Sequence, residues 1–117
     1  MTTIREVKRG EIYRVDWSPG RGSEQSGVRP ALVIQNDIGN KFSPTTIVAA
    51  FSTAPIKDYP FIVSCTKSET GLEKDSVVNL AIIITIFNER LGDKCGELSK
   101  SKMAEVDKAI KESLSLH

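Results

Sequence analysis

The sequence predicts a mainly β fold with helices (α+β), built as a small barrel or strongly bent sheet with one C-terminal amphipathic helix. Two observations carry this expectation. Short apolar runs recur along residues 11–86, punctuated by Gly, Pro, Asn and Asp, and the hydrophobic period lengthens to three or four only near the C-terminus.

Residues 11–17 alternate, with Tyr13, Val15 and Trp17 on one face and Arg14 and Asp16 between them, which is the pattern of a half-buried strand. Ser18-Pro19-Gly20 ends it. Residues 30–35 and 45–53 are short runs rich in Val and Ile or flanked by Thr, the composition of central strands. Between them Asn36-Asp37-Ile38-Gly39-Asn40 has the residues of a tight turn or a single helical turn, and Pro44 restarts the extended chain. Further strands are expected at 61–65, 76–80 and 82–86, with Glu69-Thr70-Gly71 as a turn between two of them. Met103, Val106, Ile110 and Leu114 then fall three or four apart among Lys, Glu and Asp, so an amphipathic helix is expected there. Ser99 or Ser101 caps its start, neither with a Glu or Gln three residues on to complete a capping box. The helix or a partner then covers the sheet edges.

The length of 117 residues and the absence of a linker-like tract predict one domain over 1–117. Sixteen Lys and Arg against fifteen Asp and Glu leave a net charge of +1, so whole-protein electrostatics favour neither a strong nucleic-acid binder nor an acidic solvating protein. A local basic patch remains open. The only histidine is His117, which excludes a buried His base, a Ser-His-Asp triad and a His-rich zinc site. Cys65 and Cys95 are too few for a zinc cluster or a disulfide framework and are expected as free buried thiols. No apolar h-region opens the chain and no stretch reaches about 18 apolar residues, so a cytoplasmic protein without membrane association is expected.

Chemistry concentrates in Gly22-Ser23-Glu24-Gln25-Ser26-Gly27-Val28-Arg29-Pro30, a polar loop running into the apolar strand Ala31-Leu32-Val33-Ile34. It brings a carboxylate and a guanidinium to one loop-to-strand junction, where a rigid strand can hold variable chemistry in place. The plainer reading of Arg29 is a surface arginine paired with Glu24 or Asp37.

Lys8-Arg9-Gly10-Glu11-Ile12-Tyr13 and Gly22-Ser23-Glu24-Gln25 precede Arg29-Pro30-Ala31-Leu32-Val33-Ile34-Gln35-Asn36-Asp37. Pro44-Thr45-Thr46-Ile47-Val48-Ala49-Ala50, Asp75-Ser76-Val77-Val78 and Arg90-Leu91 follow in order before the terminal helix. In this order the chain resembles the MazF/PemK toxin family over essentially its whole length. The resemblance implies a small SH3-like barrel of the MazF/CcdB type that forms a homodimer and cleaves single-stranded RNA, usually at a short defined sequence. It implies no metal and no other cofactor, and as partner a MazE-type antitoxin whose disordered acidic tail wraps the toxin and fills the RNA groove.

RNA brings its own nucleophile, the 2′-OH, so an enzyme must help deprotonate it, protonate the 5′-oxygen and stabilise the charge between them. Arg29 suits the phosphate because its planar fork donates two hydrogen bonds and stays charged. The family's catalytic hydroxyl falls on Ser52, with Thr53 as the alternative, since adjacent strand residues point to opposite faces. Glu24 is the only carboxylate in the loop and serves as base or as orienter of Arg29. The expected catalytic set is therefore Arg29, Ser52 and Glu24. Ser23 and Gln25 are candidates for reading base edges, with loop structure as the plainer role. Trp17 either stacks on an unpaired base or is a core indole on the Tyr13/Val15 face. Lys57 and Lys67 are candidate phosphate contacts or plain solvated lysines.

One stretch departs from the family pattern. Where many relatives carry a Glu-Gln pair, an Arg and an Asp-Lys pair, this chain has Ala81-Ile82, Ile84 and Phe87-Asn88. The resulting apolar strand must be covered, which implies a more apolar dimer interface or a different groove. Two other classes are open: a barrel that binds nucleic acid or antitoxin without cutting, and a CcdB-like toxin of DNA gyrase. The Gly22-to-Pro30 loop argues against the second, as do Lys108 and Lys111 on the polar side of an ordinary amphipathic helix.

Overall fold

A computed structural model describes residues 6–17, 27–53 and 58–116. The hairpin of β1 (Glu11–Asp16) and β2 (Val28–Val33) runs antiparallel with Ile12 opposite Leu32 and Asp16 opposite Val28. The Trp17 N–H donates to the Gly27 carbonyl at 2.9 Å, and Gly27 sits at φ +89°, a conformation that glycine alone adopts without strain.

The segment after β2 resolves as a helix rather than a tight turn. In α1 (Asp37–Phe42) the Asn36 side chain accepts the Gly39 N–H as N-cap. Buried Asn40 ties α1 to both neighbouring strands, donating to the Gln35 carbonyl at 2.9 Å and accepting from the Thr46 hydroxyl at 2.7 Å. Then follow β3 (Thr45–Ser52), β4 (Ile62–Cys65) and a short α2 (Lys67–Thr70). The expected turn at 69–71 is the end of α2, which Thr66 and Glu69 start with a reciprocal capping box and Gly71 ends at φ +82°.

The two strands expected at 76–80 and 82–86 are a single strand, β5 (Ser76–Phe87). Its register against β3 shifts between Ala49↔Ile83 and Phe51↔Val78, and the Asn79 side chain accepts the Ala81 N–H at 2.9 Å within that irregularity. A bulge whose extra N–H is satisfied locally bends the strand without ending it, which is why Ala81 is no break. A 3₁₀ turn (Asn88–Arg90) leads into β6 (Leu91–Glu97), a strand not expected because its Gly, Asp and Lys carry no apolar alternation. The terminal helix, α3 (Lys100–Leu114), is where the periodicity places it, and Ser99 rather than Ser101 caps it by accepting the Lys102 N–H.

The strands form one antiparallel six-stranded sheet in the order β4-β5-β3-β2-β1-β6, curled but not closed. Both faces are apolar. On one, Ile12, Leu32, Ala49, Phe51, Val78 and Leu80 pack beneath Met103, Val106 and Ala109 of α3. On the other, Val15, Ala31, Val33 and Val48 meet Ile86 and Leu91, carried across by the corner between β5 and β6. Full burial of each such aliphatic side chain contributes roughly 1.5–3 kcal/mol. These two clusters fix the central strands, and with them the β2–β3 junction on which the site is built.

Candidate functional site

The β2–β3 ladder pairs Val33 with Val48, Leu32 with Ala49 and Ala31 with Ala50, and ends at Pro30, which has no N–H to donate. Carried beyond the last pair, Ala31 with Ala50, the same register brings Arg29 across from Ser52 after two steps, on the face shared by Ala31 and Val33, and Val28 across from Thr53 after three. Arg29, Ser52 and Thr53 line one cleft of about 400 Å³ together with Val28, Pro30, Phe51 and Ser76. Arg29 is half-buried there.

Asp37 does not serve as the partner of Arg29. Its carboxylate accepts the Arg9 N–H at 2.7 Å and the Asn40 amide at 3.2 Å, and the Arg9 bond foremost holds its pKa below the ordinary value. Among the described residues Arg29 is in no ion pair. A guanidinium and a hydroxyl that line one cleft suit a phosphate.

Ser23, Glu24, Gln25 and Lys57 lie outside the described residues. Trp17 packs against the cluster that holds Tyr13 and Val15, as the core reading requires, and its buried indole N–H has no hydrogen-bond partner among the described residues. Lys67 opens α2, its N–H donating to Asp75 Oδ1 at 2.8 Å.

A second cleft of about 430 Å³ continues from the first, sharing Ser52, Thr53 and Ser76 and adding Ser64, Cys65, Thr66, Glu69, Asp75, Val77 and Lys102. A smaller recess of about 190 Å³ opens from the same Thr53 and Ser76 toward Arg14 and Lys74. Within the second cleft, burial pushes the Cys65 thiol up to about 11, so it stays protonated near neutrality and is no nucleophile. Cys95 is also free. Burial works against the charge of Lys102, but Glu105 and Glu69 outweigh it and hold the ammonium above its ordinary pKa. Most of these residues escape sequence reasoning, because the pairing of Cys65 with Ser76 and the packing of α3 bring together side chains from distant segments. Ser52 and Thr53 carried a signal as the candidate hydroxyls, and Asp75, Ser76 and Val77 as part of the family resemblance.

The family described as PemK-like, MazF-like toxin of type II toxin-antitoxin system matches residues 8–114. The chain belongs to the MazF/PemK toxin family. It is 53% identical over 112 residues to Endoribonuclease EndoA of Bacillus subtilis (strain 168), covering 94% of this chain and 96% of that one. It is 49% identical over 112 residues to Endoribonuclease MazF of Staphylococcus epidermidis, covering 95% and 93%. Among solved structures, an endoribonuclease in complex with its cognate antitoxin from a mycobacterial species superposes with a TM-score of 0.80 at 25% identity, over 95% of this chain and 97% of that one. The curled six-stranded sheet is thus a MazF-type barrel-like fold. In this MazF-family chain no helix among the described residues is long and apolar enough to cross a membrane.

Proposed function

We propose that this chain is the toxin of a type II toxin–antitoxin pair and acts in the cytoplasm as a metal-independent endoribonuclease on single-stranded RNA. The observation that carries this reading is the cleft shared by Arg29 and Ser52, in a chain about half identical to named endoribonucleases. The 2′-OH attacks the adjacent phosphorus, an O2′–P bond forms, the P–O5′ bond breaks, one proton leaves O2′ and one reaches O5′. Arg29 donates to the phosphoryl oxygens as negative charge builds on them and acts there as an electrostatic stabiliser. Ser52 donates its hydroxyl to the same phosphate. Glu24 takes the O2′ proton or orients Arg29, while Ser23, Gln25 and Thr53 contact the flanking nucleotides.

The protein works as a homodimer and is neutralised by a MazE-type antitoxin. Support for the dimer comes from the uncovered apolar surface of Ile82, Ile84 and Phe87, which stands where many relatives place charged or amide groups. The open cleft around Arg29 suits an acidic antitoxin tail as well as RNA.

Incubating the purified protein with a long natural RNA in EDTA, with cut ends mapped by primer extension, tests the proposal. Discrete cuts are expected, and Arg29→Ala is expected to lose at least about 100-fold in rate while remaining folded and dimeric. A folded Arg29→Ala protein that cuts at the wild-type rate removes Arg29 from the mechanism. A folded wild-type dimer that makes no cuts leaves a binding module instead.

A further inference from the structure

We propose that the recess between Arg14 and Lys74 binds a phosphate of the RNA backbone adjacent to the scissile one, so that the enzyme holds its substrate at two consecutive phosphates. This rests on the reading of Arg29 and Ser52 as the cleavage site. Continuity gives the first argument. Pro30, Thr53 and Ser76 line both the recess and the cleft of Arg29 and Ser52, and Arg14 stands directly across the β1–β2 ladder from Pro30, the neighbour of Arg29. An RNA chain that leaves the first cleft on this side enters the recess with its next phosphate.

Charge gives the second argument. Arg14 and Lys74 line the recess with one carboxylate, Glu73. Among the described residues neither cation is in an ion pair. Two cations against one carboxylate leave one net positive charge, which matches the single negative charge of a phosphodiester. The planar fork of Arg14 also suits two phosphoryl oxygens. The second cleft, on the other side of Thr53 and Ser76, is the opposite case, with Glu69 and Asp75 against Lys102. There the Lys102 ammonium is directed at Glu69 Oε2 at 3.3 Å, Glu105 Oε2 at 3.1 Å and the Ser64 carbonyl at 3.2 Å. An ammonium has three protons, so none is left for a phosphate. The backbone is thereby steered toward Arg14 and Lys74.

Both cations stand on backbone that is fixed before any RNA arrives. Arg14 is an exposed position of β1 between the buried Tyr13 and Val15. The Lys74 carbonyl accepts the Ser76 hydroxyl at 3.0 Å, and the next residue, Asp75, accepts the Lys67 N–H at 2.8 Å. Charges placed in advance add to binding without the cost of ordering a loop. With a net charge of only +1 over the whole chain, a grip on RNA has to come from such local placement.

The test removes charge from each side of the contact. Once the cut is mapped on a long RNA, oligonucleotides bearing that site are made in which the phosphate next to the scissile one, on its 5′ or its 3′ side, is an uncharged methylphosphonate beside a 2′-deoxy sugar. The reference carries the same deoxy sugar and an ordinary phosphate. The ratio of kcat/KM within each pair measures what that charge is worth to wild type and to Arg14→Gln/Lys74→Gln. At one of the two positions the loss on neutralisation is expected to be at least about fivefold greater in wild type than in the variant. A smaller difference at both positions overturns the proposal however slowly the variant cuts, since a merely structural defect slows both substrates alike. Both side chains are exposed, and Lys74→Gln alone carries the same comparison if the double variant does not fold. Arg29→Ala is run alongside. If it cuts at the wild-type rate, the scissile phosphate lies elsewhere and the cleavage-site reading fails; if Arg29 is required and the coupling is missing, only the recess is removed.

Discussion

Two of the stretches of strand that have a neighbour on one side only, β6 and the second half of β5, are made of opposite materials. β6 pairs with β1 alone and reads Leu-Gly-Asp-Lys-Cys-Gly-Glu, with Asp93, Lys94 and Glu97 exposed and Lys94 paired to Glu11 at 2.9 Å. β5 has β4 beside it only as far as the bond from the Leu80 N–H to the Phe61 carbonyl, after which β3 continues alone to Thr45↔Phe87. Over that second stretch residues 81–85 are all exposed, Ile82 to 50% and Ile84 to 42%, with Phe87 at 56%. The apolar groups occupy both faces, since Ile83 lies opposite Ala49 and Ile84 opposite Val48, which belong to different core clusters. Charges on an edge oppose the addition of another strand, whereas an apolar open edge invites it. The chain therefore protects the β6 edge itself and leaves the second half of β5 open to a partner, which is the physical content of the proposed homodimer.

The largest effect that would break this comparison lies within β5 itself. Leu80, 1% exposed beneath α3, is expected to cost about 2–5 kcal/mol as Leu80→Ala. Ile82→Ala, two residues further on, is expected to cost the monomer less than about 0.5 kcal/mol. Urea unfolding at concentrations where the monomer prevails measures both, and equal losses would mean that the second half of β5 is already buried by the chain. Next in size is Ile84→Lys, which gives the apolar edge the charge that β6 carries. The dimer dissociation constant, read by sedimentation equilibrium, is expected to rise at least about tenfold, or ~1.4 kcal/mol, with the monomer's unfolding unchanged. An unchanged dimer would place the interface elsewhere and leave this edge to the antitoxin.

The same contrast explains what was legible in the sequence. β1, β3 and α3 declare themselves because one face of each is apolar at the right period, and the Arg29/Ser52 junction follows from the family motif together with strand register. β6 was invisible because an edge strand protected by Gly, Asp and Lys looks like a loop when read alone. β5 was read as two strands because the bulge around Asn79 and Ala81 depends on a side chain bonding to its own backbone, a contact that no hydrophobic pattern encodes. The second cleft was equally hidden, since Asp75 and Lys102 are ordinary solvated charges until the pairing of β4 with β5 and the docking of α3 set them around one space.

The smallest expected effect tests whether the charged edge is held by a specific pairing or by charge in general. Burial pushes the Glu11 carboxyl upward, but Lys94, the Lys8 N–H at 2.7 Å and the Tyr13 hydroxyl at 2.8 Å outweigh it and hold the pKa below the ordinary carboxylate value. A carboxyl depressed in the folded state contributes stability that is fully present above its unfolded pKa and is lost as pH falls through the folded one. Wild type should therefore lose stability more steeply than Glu11→Gln on titration below about pH 5, by roughly 0.2–1 kcal/mol, the size of a partly exposed ion pair. Thermal melts from pH 7 to pH 3 measure the difference, and 0.5 M salt should shrink it by screening the Lys94 pair. Parallel curves would show that the Glu11 network adds nothing to folding. Asp93, Lys94 and Glu97 would then act on the β6 edge only by making it unwelcome to another strand, and the contrast with β5 would be one of recognition rather than of stability.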